Sequence, residues 1–149
     1  MFSRVMSTTV ALMIAALGAM DARAQQAEQF GDFSIHYNTL NTNLLDPQTA
    51  SAYDIQRSGT RALLNIAVLR SGDEGDIPVT ARVNASAVNL AGQRRDIEMR
   101  EIRDQDAIYY IGTFRFRQEE TLNFRISVSP EGHTRAPHEF TFRQQFYTD

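Results

Sequence analysis

The chain contains no cysteine and no lysine. The missing thiols exclude disulfide staples, thiol catalysis, zinc–thiolate sites and iron–sulfur clusters. At 149 residues such staples are not required, because folding at this size buries about two thirds of the extended chain's surface. The missing lysine excludes a Ser-x-x-Lys centre, and Gly-x-Ser-x-Gly is absent as well. Every basic residue is therefore Arg, a pattern that reads as lineage bias before function. Methionine is scarce beyond the first twenty residues, where only Met99 remains, too few thioethers for a methionine-rich copper carrier. The formal net charge is −3, which disfavours nucleic acid as a partner. Only one long apolar run exists, Val10 to Met20. It is shorter than the about 20 residues a membrane helix needs, so no stable span is expected.

That run follows a basic start at Arg4 and precedes Ala22-Arg23-Ala24, a small-x-small cleavage pattern. Residues 1–24 thus read as a cleavable signal peptide and 25–149 as a single exported domain, located in the periplasm.

The remaining chain alternates at period two. In Ala107 to Arg117, Ile108, Tyr110, Phe114 and Phe116 share one face while Thr113, Arg115 and Arg117 share the other. Leu122, Phe124, Ile126 and Val128 continue the phase. With Gln118-Glu119-Glu120 as a short loop, the two segments read as a hairpin pairing Phe114 with Phe124. Gly112 falls on the apolar face, where a missing side chain leaves room for a large neighbour. Phe30 to Leu40 is the first strand, with Phe33, Ile35 and Tyr37 opposite Ser34, His36 and Asn38; Gln25 to Gln29 is expected to fray. Asp46 caps a short helix that begins at Pro47. Arg61 to Leu69 is apolar on both faces apart from Asn65, as in a central strand covered on both sides. Asp73, Glu74 and Asp76 form a solvated acidic turn, and Glu119 and Glu120 read the same way. Ile77 to Val88 is a long strand. Arg94 to Arg103 is another, with Ile97 and Met99 inward and a phase break at Ile102 that suggests a bulge. His138 to Tyr147 closes the chain. The sum is an all-β, immunoglobulin-like antiparallel sandwich of about seven strands, with one short helix after the first.

Candidate chemistry is sparse. His36, His133 and His138 show no local ligand spacing, and transition-metal sites need three or four converging ligands. His36 and His138 sit on the first and last strands, so a two-histidine site requires those strands to be neighbours. No metal or cofactor is assigned. Arg115, Arg117, Arg125 and Arg143 share the outward phase of the last three strands. Within one sheet they would form a basic docking face beside an exposed Tyr109; ordinary solvated surface is the competing reading.

The segments His36-Tyr37-Asn38, Ala52-Tyr53-Asp54-Ile55, Leu64-Asn65-Ile66, Asn89-Leu90-Ala91-Gly92-Gln93, Glu101-Ile102, Ala107 to Ile111 and Gln144-Gln145-Phe146-Tyr147 resemble a proteobacterial family, the domain of unknown function number 4426. The resemblance covers nearly all of the exported chain. It implies a small periplasmic β-sandwich and transfers no catalytic residue. Within the matched region His36, Asn38, Asn41 and Arg57 are polar positions without a core role, and they mark the first candidate binding site. The resulting expectation is a non-enzymatic binding or accessory module for an envelope protein. The alternative is a small-ligand or metal binder using the His36 to Arg57 region.

Overall fold

The computed structural model describes residues 26–148; the segment 1–24, read above as a signal peptide, lies outside them. The described chain forms ten strands: β1 (Gln26–Phe30), β2 (Phe33–Asn41), β3 (Arg61–Gly72), β4 (Gly75–Pro78), β5 (Ala81–Asn89), β6 (Arg94–Ile97), β7 (Arg100–Asp104), β8 (Ala107–Arg115), β9 (Glu120–Pro130) and β10 (His138–Phe146). Between β2 and β3 lie a 3₁₀ turn (Thr42–Leu44) and one helix, α1 (Pro47–Ala52). The first sheet runs β1-β2-β3-β8-β7, with β4 also on β3; the second runs β10-β9-β5-β6. All pairings are antiparallel. The expected all-β sandwich is present.

Three more strands form than the alternation suggests. β1 does not fray: it pairs with β2 through a tight turn at Gly31, whose φ is +54°, and Phe30 stacks on Phe33 and His138. The long strand expected over 77–88 is two. β4 belongs to the first sheet and β5 to the second, with the crossing at residues 79–80. The strand expected over 94–103 likewise divides into β6 and β7, which lie in different sheets. The phase break at Ile102 is therefore this crossing and not a bulge. Ile97 enters the sandwich core, whereas Ile102 packs on the outer side of the first sheet.

The expected hairpin is the largest correction. β8 pairs with β3 and β7, and β9 pairs with β5 and β10. The connection at 116–119 is an arch between sheets. Phe114 does meet Phe124, with ring centroids 5.3 Å apart, but across the core instead of along a ladder. Two strands that face each other across a sandwich show the same apolar alternation as two that pair side by side, so alternation alone does not separate them.

The sandwich core joins Ile35, Leu64, Ile66 and Val68 of the first sheet to Leu122, Phe124, Ile126 and Val128 of the second. β3 is covered on both sides as expected. Its other face carries Leu63, which packs with Ile111, Leu45, Ala50 and Ile55 in a second, smaller core. α1 is held there by its cap. Asp46 accepts hydrogen bonds from the Thr49 amide (2.7 Å) and hydroxyl (2.9 Å), and Pro47 occupies the first helical position. The helix ends through a left-handed Asp54, φ +54°, which turns Ile55 back toward the sheet.

Gly112 has the role its position suggested, with the neighbour now identified. A Cβ at this residue would lie 2.6 Å from the Glu98 carbonyl oxygen and 2.7 Å from Met99 Sδ, where the chain crosses from β6 to β7. Gly112→Ala is expected to lower stability by about 1–3 kcal/mol, read as a fall of several degrees in a thermal melt; an unchanged melting temperature would contradict the crossing.

Glu120 is not a solvated turn residue. It accepts from Arg95 (2.7 Å), Asn89 (2.9 Å) and the Arg117 amide (3.0 Å). Burial raises its pKa, but these bonds outweigh burial and hold it down at about 2. The unfolded carboxyl binds its proton first, so this contribution, about 3 kcal/mol, is complete above pH ~4.5 and is lost as pH falls toward 2. In urea melts the gap between the wild type and Glu120→Gln should be widest near neutrality and close over that window. A gap independent of pH would refute the assignment.

Candidate functional site

β3 changes partner on one side. Arg61 to Ile66 pair with β8, and Leu69 to Gly72 pair with β4. Over the intervening Ala67 and Val68 the two neighbours separate, and a cleft of about 310 Å³ opens on the outer face of the first sheet. Ala67, Leu69, Pro78, Ala107 and Ile108 supply its apolar lining, and Asn38, Asn65, His36, Tyr37 and Tyr109 its polar groups. Among the described residues its lining contains no Asp, Glu or Arg.

The two asparagines stand directly opposite each other on β2 and β3. Both are more than nine-tenths buried, at 8 % and 7 % exposure. Asn65 Nδ2 donates to Asn38 Oδ1 at 3.3 Å. Asn38 Nδ2 and Asn65 Oδ1 have no partner. A buried polar atom without a hydrogen bond costs about 1–3 kcal/mol. The pair thus leaves one donor and one acceptor buried and unpaired in two residues that line the cleft. Burial holds the Tyr109 hydroxyl above its ordinary range, with Asp104 and Tyr53 adding to the effect; Tyr37 is raised by burial and by Glu28. Both phenols are neutral at physiological pH.

Two larger hollows differ in kind. One, of about 450 Å³, is lined by Asp54, Asp96, Glu98 and Arg100 among others. Another, of about 470 Å³, lies on the outer face of the second sheet among Arg94, Asp96, Arg125 and Glu139. Their charges are mixed and Arg94 is already paired with Asp96 at 3.0 Å. They have the character of solvated sheet surface.

The cleft brings together three residues that the sequence singled out separately: His36, Asn38 and Tyr109. His36 is exposed, with Nε2 3.4 Å from Ser34 Oγ. Tyr109 is half-buried, not exposed, and packs against the smaller core. Asn41 and Arg57 lie elsewhere and tie loops down: Asn41 donates to the Tyr147 carbonyl (2.9 Å) and Arg57 to the Asn43 carbonyl (3.0 Å). The arginine face does not form, because its strands do not share a sheet. Arg115 lies opposite Arg61 on the first sheet, whereas Arg125 and Arg143 lie on the outer face of the second. Arg143 donates to Asn123 at 2.8 Å. The Arg117 amide is engaged by Glu120. His36 and His138 do not converge. His36 is on the outer phase of β2, and His138 stacks on Phe30 at 4.4 Å and meets Glu28 at 3.2 Å. No group of three or more His, Cys, Asp or Glu among the described residues is placed to hold a metal ion. Asn65 is the residue missed as a site; its signal was that it alone interrupts the apolar run of β3.

Replacing both partners by apolar side chains removes the orphaned atoms together. The Asn38→Leu/Asn65→Leu double variant should match or exceed the wild type in urea stability, whereas Asn65→Leu alone, which strips Asn38 Oδ1 of its donor, should lose about 1–2 kcal/mol. A double variant less stable than the wild type by more than the single would show that the pair is purely structural.

Residues 27–149 match the family model described as Domain of unknown function (DUF4426). The crystal structure of a DUF4426 family protein from Pseudomonas aeruginosa, PA0388, is 33 % identical with a TM-score of 0.73, covering 85 % of this chain and 98 % of that one. Two structures of FetP from uropathogenic Escherichia coli share the fold at a TM-score of 0.57. One is a copper-bound variant, at 9 % identity and covering 85 % of this chain and 97 % of its own. The other is the as-isolated protein expressed in the periplasm, at 10 % identity and covering 85 % and 95 %. No curated protein matches the chain. With the family model spanning nearly every described residue and a family structure superposing on the same sandwich, the chain belongs to the DUF4426 family of domains of unknown function.

Proposed function

We propose that this protein is a non-catalytic binding module of the periplasm, and that it recognises a partner or ligand of the cell envelope through the cleft on the first sheet. The observation that carries the reading is the Asn38–Asn65 pair. It keeps a buried donor and a buried acceptor unpaired on two neighbouring strands of an otherwise apolar sheet face. Stability given up at a concave apolar site is characteristic of binding surfaces. Carboxamides neither titrate nor attack, which favours recognition over catalysis. The Ser34–His36 contact is exposed and at the limit of hydrogen-bond length, a poor setting for an activated nucleophile. The leader pattern in residues 1–24 and the FetP fold support export. FetP's copper is not carried over, since that likeness is one of fold alone.

The test is an NMR titration of isotope-labelled protein with a panel of neutral, anionic and cationic fragments. At least one class should shift the methyl groups of Ala67, Leu69 and Ile108 and leave Ala85 and Ile126, on the second sheet, unmoved. The response should vanish in Asn38→Leu/Asn65→Leu. If no fragment moves these signals at millimolar concentration, or if the shifts persist in the double variant, the cleft is not the recognition site.

A further inference from the structure

Among the described residues four large hydrophobic side chains are exposed, and three of them stand at one end of the sandwich. Leu44 follows β2, Leu90 lies in the turn between β5 and β6, and Tyr147 follows β10. Hydrogen bonds join these loops. The Asn41 side chain donates to the Tyr147 carbonyl (2.9 Å), and Asn89 donates to Glu120 (2.9 Å), whose partner on β10 is Phe146. Leu90, at 72 % exposure, is the most open of the set, and side-chain bonds fix its turn. Asn89 Oδ1 accepts from the Ala91 and Gln93 amides (3.0 and 2.8 Å), Asn89 Nδ2 also donates to Gln93 Oε1 (2.8 Å), and Gly92 takes the left-handed position at φ +81°. An apolar side chain held out on a fixed turn gives up little entropy when it is covered.

The same end carries cations without counter-charges. Arg61 and Arg115 stand directly opposite each other on β3 and β8. They point away from the sandwich core, since their neighbours Ala62 and Phe114 enter it. Arg117 is exposed in the arch. Among the described residues none of the three is ion-paired. Like charges opposed across a ladder destabilise it, so the Arg61–Arg115 pair gains from an anion brought in from outside. The far end is acidic instead, with Asp73, Glu74 and Asp76 at the β3–β4 hairpin and Asp104 and Asp106 at the β7–β8 turn. An anionic surface therefore attracts one end and repels the other.

We propose that this end of the sandwich docks on an anionic lipid bilayer: Leu44, Leu90 and Tyr147 enter the headgroup region while Arg61, Arg115 and Arg117 meet lipid phosphates. Tyrosine is favoured at the membrane–water interface, guanidinium groups pair with phosphate oxygens in bidentate fashion, and neither contact needs a membrane span. The apolar side chains stand on three separate loops, which fits a deformable surface better than the continuous apolar centre of a protein interface. With so few inserted groups the contact is weak and reversible. It does not involve the cleft and stands independently of it.

Protein expressed with its leader and purified is mixed with vesicles of phosphatidylglycerol or of phosphatidylcholine, and the bound fraction is read by co-sedimentation. It should bind phosphatidylglycerol at least about tenfold more tightly, since each arginine near an anionic surface contributes roughly fivefold. At about 1 M salt, where the screening length falls to about 3 Å, the preference should disappear. Leu90→Asp should weaken binding at least about tenfold, and Arg115→Gln/Arg117→Gln should abolish the preference for phosphatidylglycerol. Leu90 and both arginines are exposed, so each variant should keep the wild-type melting temperature; if one does not, the other carries the test. Equal binding to the two lipids, or binding undiminished in the variants, would overturn the proposal. All variants carry the same N-terminus, so attachment through the leader would persist in them and count against it. Absence of binding to either vesicle would also overturn it and leave this end to an acidic protein partner.

Discussion

Burial of β3 on both faces is the constraint on which the rest of the molecule depends. Ala62, Leu64, Ile66 and Val68 close the sandwich, while Leu63 joins Ile111 under α1 and the loop that carries it. A strand enclosed in this way needs continuous apolar side chains, and each polar exception must find a partner or remain unsatisfied. Asn65 is that exception. Its neighbour across the ladder, Asn38, accepts from its amide nitrogen, and its oxygen stays buried without a partner beside the cleft. The site is therefore a consequence of the same enclosure that stabilises the fold. The short helix matters for the same reason: without the cap at Asp46 and the turn at Asp54, the outer face of β3 would be open to water.

The chain reaches this arrangement by alternating between sheets: β1 to β4 in the first, β5 and β6 in the second, β7 and β8 in the first, β9 and β10 in the second. Two of the three crossings take only two residues, at 79–80 and 98–99. Such short crossings bring backbone close to backbone, and Gly112 is what admits the second of them. The third crossing ends beside Glu120, whose bonds to Arg95, Asn89 and the Arg117 amide tie β9 to β6, to the end of β5 and to the arch.

Strand phases were legible in the sequence, as were the helix cap, the double-sided burial of β3 and the special status of Gly112. Each of these is decided by local periodicity or by a single residue's stereochemistry. Strand partners were not legible. Phe114 and Phe124 point into one core whether they pair in a ladder or face across it, and only the shift in phase between Ile97 and Ile102 signalled a change of sheet. The misplaced partners carried over to the site. The arginine face depended on three strands sharing a sheet, and it dissolved with the arch. His36, Asn38 and Tyr109 were each marked by polarity or apparent exposure, but their convergence with Asn65 required the pairing of β2 with β3 and the divergence of β4 from β8, both of which are long-range contacts.

Two buried atoms, Asn38 Nδ2 and Asn65 Oδ1, have no protein partners. A neutron structure of the unliganded protein, which resolves amide hydrogens, measures this directly. The expected result is an Asn38 NH₂ group and an Asn65 oxygen that meet no protein acceptor or donor, with Asn65 donating to Asn38 Oδ1. If both amides are instead fully bonded to protein groups, the pair costs the fold nothing and the observation that carries the binding reading is gone.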